Sequence, residues 1–286
     1  MTMHLASYNI RGRTSFGVVV GDGVVDLRPR MAPRFTSVFD LLRAGALDEA
    51  QAVAQSVRAD FALAEAEWLS PVVTPEKILC IGVNYANRDA EVSGGAEGAK
   101  FPSMFFRAPN SLVGHNQPIV RPKVSEQLDY EGEIALIIGR AGRHIPPEHA
   151  LDHVAGVTIC NEGTIRDWLR HGRFNVTQGK NFDASGSIGP WFTTGLDLTQ
   201  PLHLTVKLNG EVTQDDTTAS MIFPFAELIA YVTMFMTIKP GDIITTGTPT
   251  KKGPRSDPPR WLVPGDVLEL TVPEIGTLRN TVVDEQ

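Results

Sequence analysis

Asp129-Tyr130-Glu131-Gly132-Glu133 runs without a break into Ile134-Ala135-Leu136-Ile137-Ile138. The apolar run reads as a strand. In a strand, residues two apart face the same side, so Glu131 and Glu133 project together, about 7 Å apart along the backbone. Two carboxylates on one face repel unless positive charge lies between them, and a divalent cation is the economical answer. All-oxygen ligation suits Mg2+ or Mn2+, with Ca2+ also open, better than zinc or copper. Read alone, Glu-x-Glu describes a solvated edge strand at least as well, and Asp129 and Glu126 read as ordinary surface acids.

Three further segments bear on that reading. Val154-Ala155-Gly156-Val157-Thr158-Ile159 precedes Cys160-Asn161-Glu162-Gly163-Thr164-Ile165-Arg166-Asp167. Glu162 therefore lies at a strand end, where active-site groups are often found. A helix starting here would put Arg166 on the same side as Glu162, which reads equally as a local ion pair. Gln178-Gly179-Lys180-Asn181-Phe182-Asp183 sets a lysine in a glycine-rich loop, where it can approach a carboxylate or an enolate oxygen. Taken alone, Lys180 reads as a surface lysine. Gly241-Asp242-Ile243-Ile244-Thr245-Thr246-Gly247-Thr248-Pro249 ends in a turn whose backbone N–H groups and Thr248 hydroxyl are anion donors. It lacks the pattern of a phosphate loop.

Outward from these segments the chain is mostly strands. Phe16 to Val20 and Val24 to Leu27 flank a Gly21-Asp22-Gly23 turn and predict a hairpin. Residues 37–68 are helical in character, and Pro71 and Pro75 break the chain after them. A boundary near residue 72 divides a small N-terminal domain (1–72) from a larger one (73–286). Lys77 to Val83 and Leu202 to Leu208 read as strands, with Asn209-Gly210 as a hairpin turn. Pro240-Gly241-Asp242 and Pro264-Gly265-Asp266 each lead into another. Pro224 opens one helix, whose core stripe is Phe225, Leu228, Ile229, Val232, Phe235 and Met236.

The 286 residues are 42% hydrophobic, enough for a sizeable core, and carry a net charge of −7, without the basic footprint of a nucleic-acid binder. No segment reads as a membrane span, and the first residues lack the pattern of a secretory signal, so a cytoplasmic protein is expected. Cys80 and Cys160 each sit in an apolar run and are expected to be buried free thiols.

In order along the chain, Ile81-Gly82-Val83-Asn84-Tyr85, Asp129-Tyr130-Glu131-Gly132-Glu133, Asn161 to Asp167, Gly179-Lys180-Asn181-Phe182-Asp183, Asn209-Gly210 and Pro240 to Pro249 resemble the landmarks of the fumarylacetoacetate hydrolase family. The resemblance covers about residues 77–284. It implies an α+β, mostly β protein whose C-terminal domain is a mixed β-sandwich roll, and a homodimer. It further implies Mg2+ or Mn2+ held by Glu131, Glu133 and Glu162. Lys180 would act in catalysis, and Thr248, Arg166 and Tyr85 would contact a small 2-oxo acid substrate. Phe105, Phe106 and Arg107 are candidates to line the pocket, the two phenylalanines being core candidates as well.

Two departures matter. The third ligand of the family is usually Asp and here is Glu162, one methylene longer. Where family hydrolases carry Asn-Tyr-x-x-His-x-x-Glu, this chain reads Asn84-Tyr85-Ala86-Asn87-Arg88-Asp89-Ala90-Glu91. Arginine stays protonated and is a poor general base, although it suits a substrate carboxylate. Either Glu91 is the base alone, or another group such as His115 substitutes, or the enzyme does not hydrolyse. The polar segment from Asn84 to about Lys100, with Gly94, Gly95 and Gly98, reads as a lid.

The leading expectation is a metal-dependent hydrolase of a C–C bond in an acylpyruvate-type 2,4-dioxo acid. The alternatives are an isomerase or decarboxylase of a 2-hydroxy-dienedioate from aromatic catabolism, and a non-catalytic protein binding a metal and a small acid.

Overall fold

The computed structural model describes residues 2–86, 100–169, 171–172, 175–250 and 259–286. Strand Gly132–Ile138 lies inside a large sheet, antiparallel to Val154–Asn161 on one side and to Ile243–Thr245 on the other. It reads as a continuous apolar run because both its faces are buried. Ile134, Leu136 and Ile138 face one core, while Ala135 and Ile137 face a second.

The large sheet runs from one edge through Phe61–Ala62, Gly23–Asp26, Arg13–Val20, Met3–Ile10, Gly186–Thr194 and Val154–Asn161. It continues through Gly132–Ile138, Ile243–Thr245, Ile78–Gly82 and Ser103–Arg107. A second sheet orders Glu211–Thr217, His203–Leu208, Val267–Val272, Gly276–Asp284 and Ile119–Arg121. Leu204, Val206, Leu268, Leu270 and Leu278 of the second sheet pack against the first core, and helix Phe225–Phe235 adds Leu228, Ile229 and Val232. Each such aliphatic side chain contributes roughly 1.5–3 kcal/mol when fully buried. The molecule is therefore α+β and dominated by strands, as expected.

The predicted turns are where the sequence puts them. Asn209 and Gly210 both have positive φ, as a two-residue hairpin of the primed type requires, and join the paired strands His203–Leu208 and Glu211–Thr217. Pro240-Gly241-Asp242 and Pro264-Gly265-Asp266 lead into strands Ile243–Thr245 and Val267–Val272.

Two expectations are corrected. The helical character of residues 37–68 holds for helices Val38–Ala44 and Leu47–Gln55; beyond them the chain forms short strands at Phe61–Ala62 and Glu67–Trp68. Those strands add to the sheet, and tertiary pairing outweighs local propensity. Phe235, assigned to the core stripe, is exposed, on the face of its helix where its ring meets Tyr231 edge-on.

The boundary expected near residue 72 falls between strands Glu67–Trp68 and Ile78–Gly82. Across it the sheet continues, since Met3, His4 and Leu5 pair with Thr194, Thr193 and Phe192. The second core also continues, joining Leu5, Phe16, Val18, Leu41 and Leu42 to Ile78, Ile137, Ile188 and Ile243. Among the described residues no helix is long and apolar enough to cross a membrane.

A chain beginning at residue 73 would expose the edge of strand Gly186–Thr194 and half of this core. It is expected to lose soluble yield and the cooperative thermal transition of the full chain, which expression trials and circular dichroism would read.

Candidate active site

The large sheet brings four chain segments to one end. Ile78–Gly82 and Ile243–Thr245 run parallel and both finish there. The antiparallel partners begin or end beside them, so Glu131 and Glu133 enter strand Gly132–Ile138 where Glu162 leaves strand Val154–Asn161. The register pairs Gly132 with Asn161 and Glu133 with Cys160, and the Glu162 N–H donates to the Glu131 carbonyl at 2.8 Å. Side-chain alternation then turns Glu131 and Glu133 the same way.

All three carboxylates are almost wholly buried. Lys180, also buried, bridges two of them: its ammonium bonds Glu131 and reaches Glu162 Oε2 at 3.0 Å. Arg166 donates from Nε to Asp129 Oδ2 and from a terminal nitrogen to Glu131 Oε1, each at 2.6 Å. The Thr164 hydroxyl donates to Glu131 Oε2 at 2.8 Å. Glu133 accepts from the Gly247 N–H at 2.9 Å.

These groups floor a cavity of about 360 Å3. Gly82, Val83, Met104, Phe105, Leu169 and Val176 form much of its wall, and Arg166 and Thr248 line it too. The Lys180 ammonium stands 5.1 Å from the centre of the Phe105 ring.

The electrostatics follow from burial. Burial alone would lower the Lys180 pKa, but the charges of Glu131 and Glu162 outweigh it and raise it, so the ammonium is held. The same balance, set by Glu131 and Asp129, keeps Arg166 charged. Among the described residues no cation bonds Glu133. Burial, then the charges of Glu162 and Glu131, push its carboxyl well above the usual range. Burial also raises the Cys80 thiol, which lies against Glu162. Cys80 and Cys160 are buried free thiols, as expected.

Among the described residues no three Asp, Glu, His or Cys side chains are grouped as closely as an ion site requires. Lys180 separates two of the carboxylates instead. The donor set nonetheless fits a hard dication. With all ionised, Asp129, Glu131, Glu133 and Glu162 carry two more charges than Arg166 and Lys180 balance. Among the described residues Glu162 Oε1 is buried without an N–H or O–H partner. An oxygen in that condition costs stability unless something positive meets it.

Other candidates land elsewhere. Arg107 is buried and does not line the cavity. It donates to the Gly163 carbonyl at 2.8 Å, to Ser185 Oγ at 3.1 Å and to Ser111 Oγ at 3.0 Å, clamping the loop after Glu162. That loop needs Gly163, where a Cβ would overlap the Ser185 carbonyl oxygen. His115 accepts from the Arg279 N–H at 3.0 Å, and burial and the Arg279 charge push it down to about 4. It is a neutral loop histidine away from the cavity. Tyr85 is buried, and burial followed by the charge of Glu133 raises its phenol. Phe105 lines the cavity, whereas Phe106, one residue on, is exposed. Arg88 and Glu91, with the segment from Gly94 to Gly98, lie outside the described residues.

Some readings are corrected. Arg166 opens the short 3-10 helix Arg166–Trp168, directly after strand Thr164–Ile165, which pairs with Leu128–Asp129; it shares no helix with Glu162. Asp129, read as a surface acid, is fully buried against Arg166. Its spacing of two from Glu131 was the available signal. Gln214 has no such signal, and Asn84 has only its place in the first family landmark. Asn84 donates to the Thr246 carbonyl at 2.9 Å and to the Phe223 carbonyl at 3.0 Å, and supports Gly247, whose φ is +94°. Gln214 bonds Gly132 and Thr248.

Residues 77–283 match the family model described as fumarylacetoacetate (FAA) hydrolase, C-terminal. The chain is similar to oxaloacetate tautomerase FAHD2B, mitochondrial, of Homo sapiens, 37% identical over 223 residues covering 77% of this chain and 70% of that protein. It is 38% identical over 227 residues to oxaloacetate tautomerase YisK of Bacillus subtilis (strain 168), covering 78% and 75%. A solved fumarylacetoacetate hydrolase from psychrophilic Exiguobacterium antarcticum superposes with a TM-score of 0.81 and 31% identity, over 99% of this chain and 100% of that one. A 2-hydroxyhepta-2,4-diene-1,7-dioate isomerase from Mycobacterium marinum gives 0.76 and 26%, over 99% of each.

Glu133 supplies a test of the buried charge. Its folded pKa lies above the ordinary 4.5, so its contribution to stability is present below that value and is lost as pH rises through the folded pKa. In EDTA, Glu133→Gln is expected to raise Tm at pH 8, with the gain shrinking toward pH 5. Thermal melts at the two pH values measure it.

Proposed function

The chain belongs to the fumarylacetoacetate hydrolase family, and we propose that it is an enzyme of this family that moves a proton at C3 of a small 2-oxo diacid, interconverting its enol and keto forms. The observation that carries the reading is Lys180, a buried ammonium between Glu131 and Glu162 on the floor of a small cavity. Its position suits delivery of a proton to carbon beside a developing enolate charge. The relatives named as oxaloacetate tautomerases support the same class. Arg88 does as well, since it stands where family hydrolases carry the histidine that serves to activate water.

Glu131, Glu133 and Glu162 would hold a divalent cation, Mg2+ or Mn2+, which supplies Lewis acidity to the 2-oxo and carboxylate oxygens. Thr248 donates its hydroxyl to a substrate oxygen. Lys180 Nζ gives a proton to C3 of the enol, and the enol O–H returns one to the nitrogen as the carbonyl forms. The charges of Glu131 and Glu162 outweigh burial and hold Lys180 as the ammonium that gives that proton. The apolar wall of Val83, Met104, Phe105 and Leu169 limits water at C3. Arg166 stays paired with Asp129 and Glu131 and sets the orientation of Glu131.

Hydrolysis of an acylpyruvate-type 2,4-dioxo acid is the second reading, supported by the likeness to the Exiguobacterium antarcticum hydrolase. A homodimer completes the proposal, on the family resemblance alone.

Purified protein with Mg2+ or Mn2+ is expected to speed the loss of enol absorbance of fresh enol-oxaloacetate. EDTA should abolish the effect, and Lys180→Met should slow it by about a hundredfold or more. Pyruvate release from acetylpyruvate with no effect on enol-oxaloacetate would overturn this reading in favour of hydrolysis.

A further inference from the structure

Gln214 lies on strand Glu211–Thr217 of the five-stranded sheet, yet its side chain reaches the acidic end of the large sheet. It is almost wholly buried. Its Oε1 accepts from the Gly132 N–H at 3.0 Å, between Glu131 and Glu133. Its Nε2 donates to Thr248 Oγ1 at 3.0 Å and to the Pro249 carbonyl at 2.9 Å.

The direction of these bonds is forced. A backbone N–H can only donate, so the amide oxygen must face Gly132. The amide nitrogen must then face Thr248, and Thr248 Oγ1 must accept. A hydroxyl that already accepts has its proton left to give. Among the described residues that proton has the Pro249 carbonyl at 3.5 Å, beyond the usual range for a hydroxyl donor. Thr248 lines the cavity, where a bound oxyanion offers a better acceptor.

We infer that Gln214 is a positioning residue that fixes the Thr248 hydroxyl as a donor toward an anionic oxygen of the substrate. The inference rests on the reading of this cavity as the site for a small 2-oxo acid. The amide acts through Thr248 and touches no substrate itself. It also ties that donor to the Gly132 backbone, so donor and carboxylates keep one spacing. The chemical class this selects is a substrate with an oxyanion, carboxylate or enolate, at the Thr248 end of the cavity.

Gln214→Glu tests the polarity. The new carboxylate still accepts from Gly132 but now takes the Thr248 proton, so the donor turns away from the cavity. The expected result is a rise in KM for enol-oxaloacetate of about tenfold or more, the loss of one hydrogen bond to a charged group, with kcat within about threefold. Thr248→Val should show the same rise, Thr248→Ser should restore the wild-type value, and adding Gln214→Glu to Thr248→Val should change nothing further.

An unchanged KM in folded Gln214→Glu, or effects that add in the double variant, would overturn the inference. Should Gln214→Glu fail to fold, Gln214→Met, which frees the hydroxyl to rotate, is held to the same cycle with a rise of about threefold.

Oxalate binding, followed by calorimetry with Mg2+, reads the same hydroxyl without any turnover. Weakening by Gln214→Glu that vanishes in the Thr248→Val background supports the inference even if the wild type proves inactive on enol-oxaloacetate, whereas equal affinities across the set overturn it.

Discussion

The pairing of Gly132 with Asn161 governs this molecule. That one register places Glu131 opposite Glu162, and Glu133 follows two residues along the same face. Three carboxylates are thereby taken out of water at the end of two central strands. Like charges so placed are tolerated only with compensation, and the fold provides part of it through Lys180 and Arg166. A slip of one residue would send the glutamates into the opposite core and the isoleucines toward the cavity. The double-faced burial of Ile134 to Ile138 holds the register against that slip.

The compensation is incomplete, and this is where structure passes into chemistry. Among the described residues Glu133 is left without a bonded cation, and Glu162 keeps a buried oxygen with no N–H or O–H partner. Sites that do work commonly carry such local cost, borne by the stability of the surrounding fold. Here the cost sits on two central strands whose residues are packed on both faces. The clamp of Arg107 on the loop after Glu162 belongs to the same support.

The second sheet contributes in a different way. Its apolar face covers the first core, while Gln214 passes through to the site, and Asn84 holds the turn at Gly247 from the other side. Backbone N–H groups, an amide and a hydroxyl are thus arranged before any ligand arrives, so no reorganisation is needed when charge develops. The N-terminal strands extend the same sheet and complete the second core without lining the cavity.

Much of this was legible in the residues themselves. The spacing of Glu131 and Glu133, the strand end at Glu162 and the Phe225 helix follow from periodicities of two and 3.6, and the Asn209-Gly210 turn from residues that accept positive φ; all are local properties of a chain. Local rules do not reach farther. Lys180, a surface lysine on its own segment, becomes a buried counter-ion only because helix Thr177–Lys180 packs beside strand Thr164–Ile165. Asp129 becomes the partner of Arg166 by pairing of two short strands distant in sequence. Arg107 and His115 turn from the cavity because backbone groups elsewhere satisfy them. The sequence determined which groups exist and which face of its strand each glutamate takes. The tertiary structure decided which charges meet, since burial and partners across 30 or more residues set both the sign and the strength of each interaction.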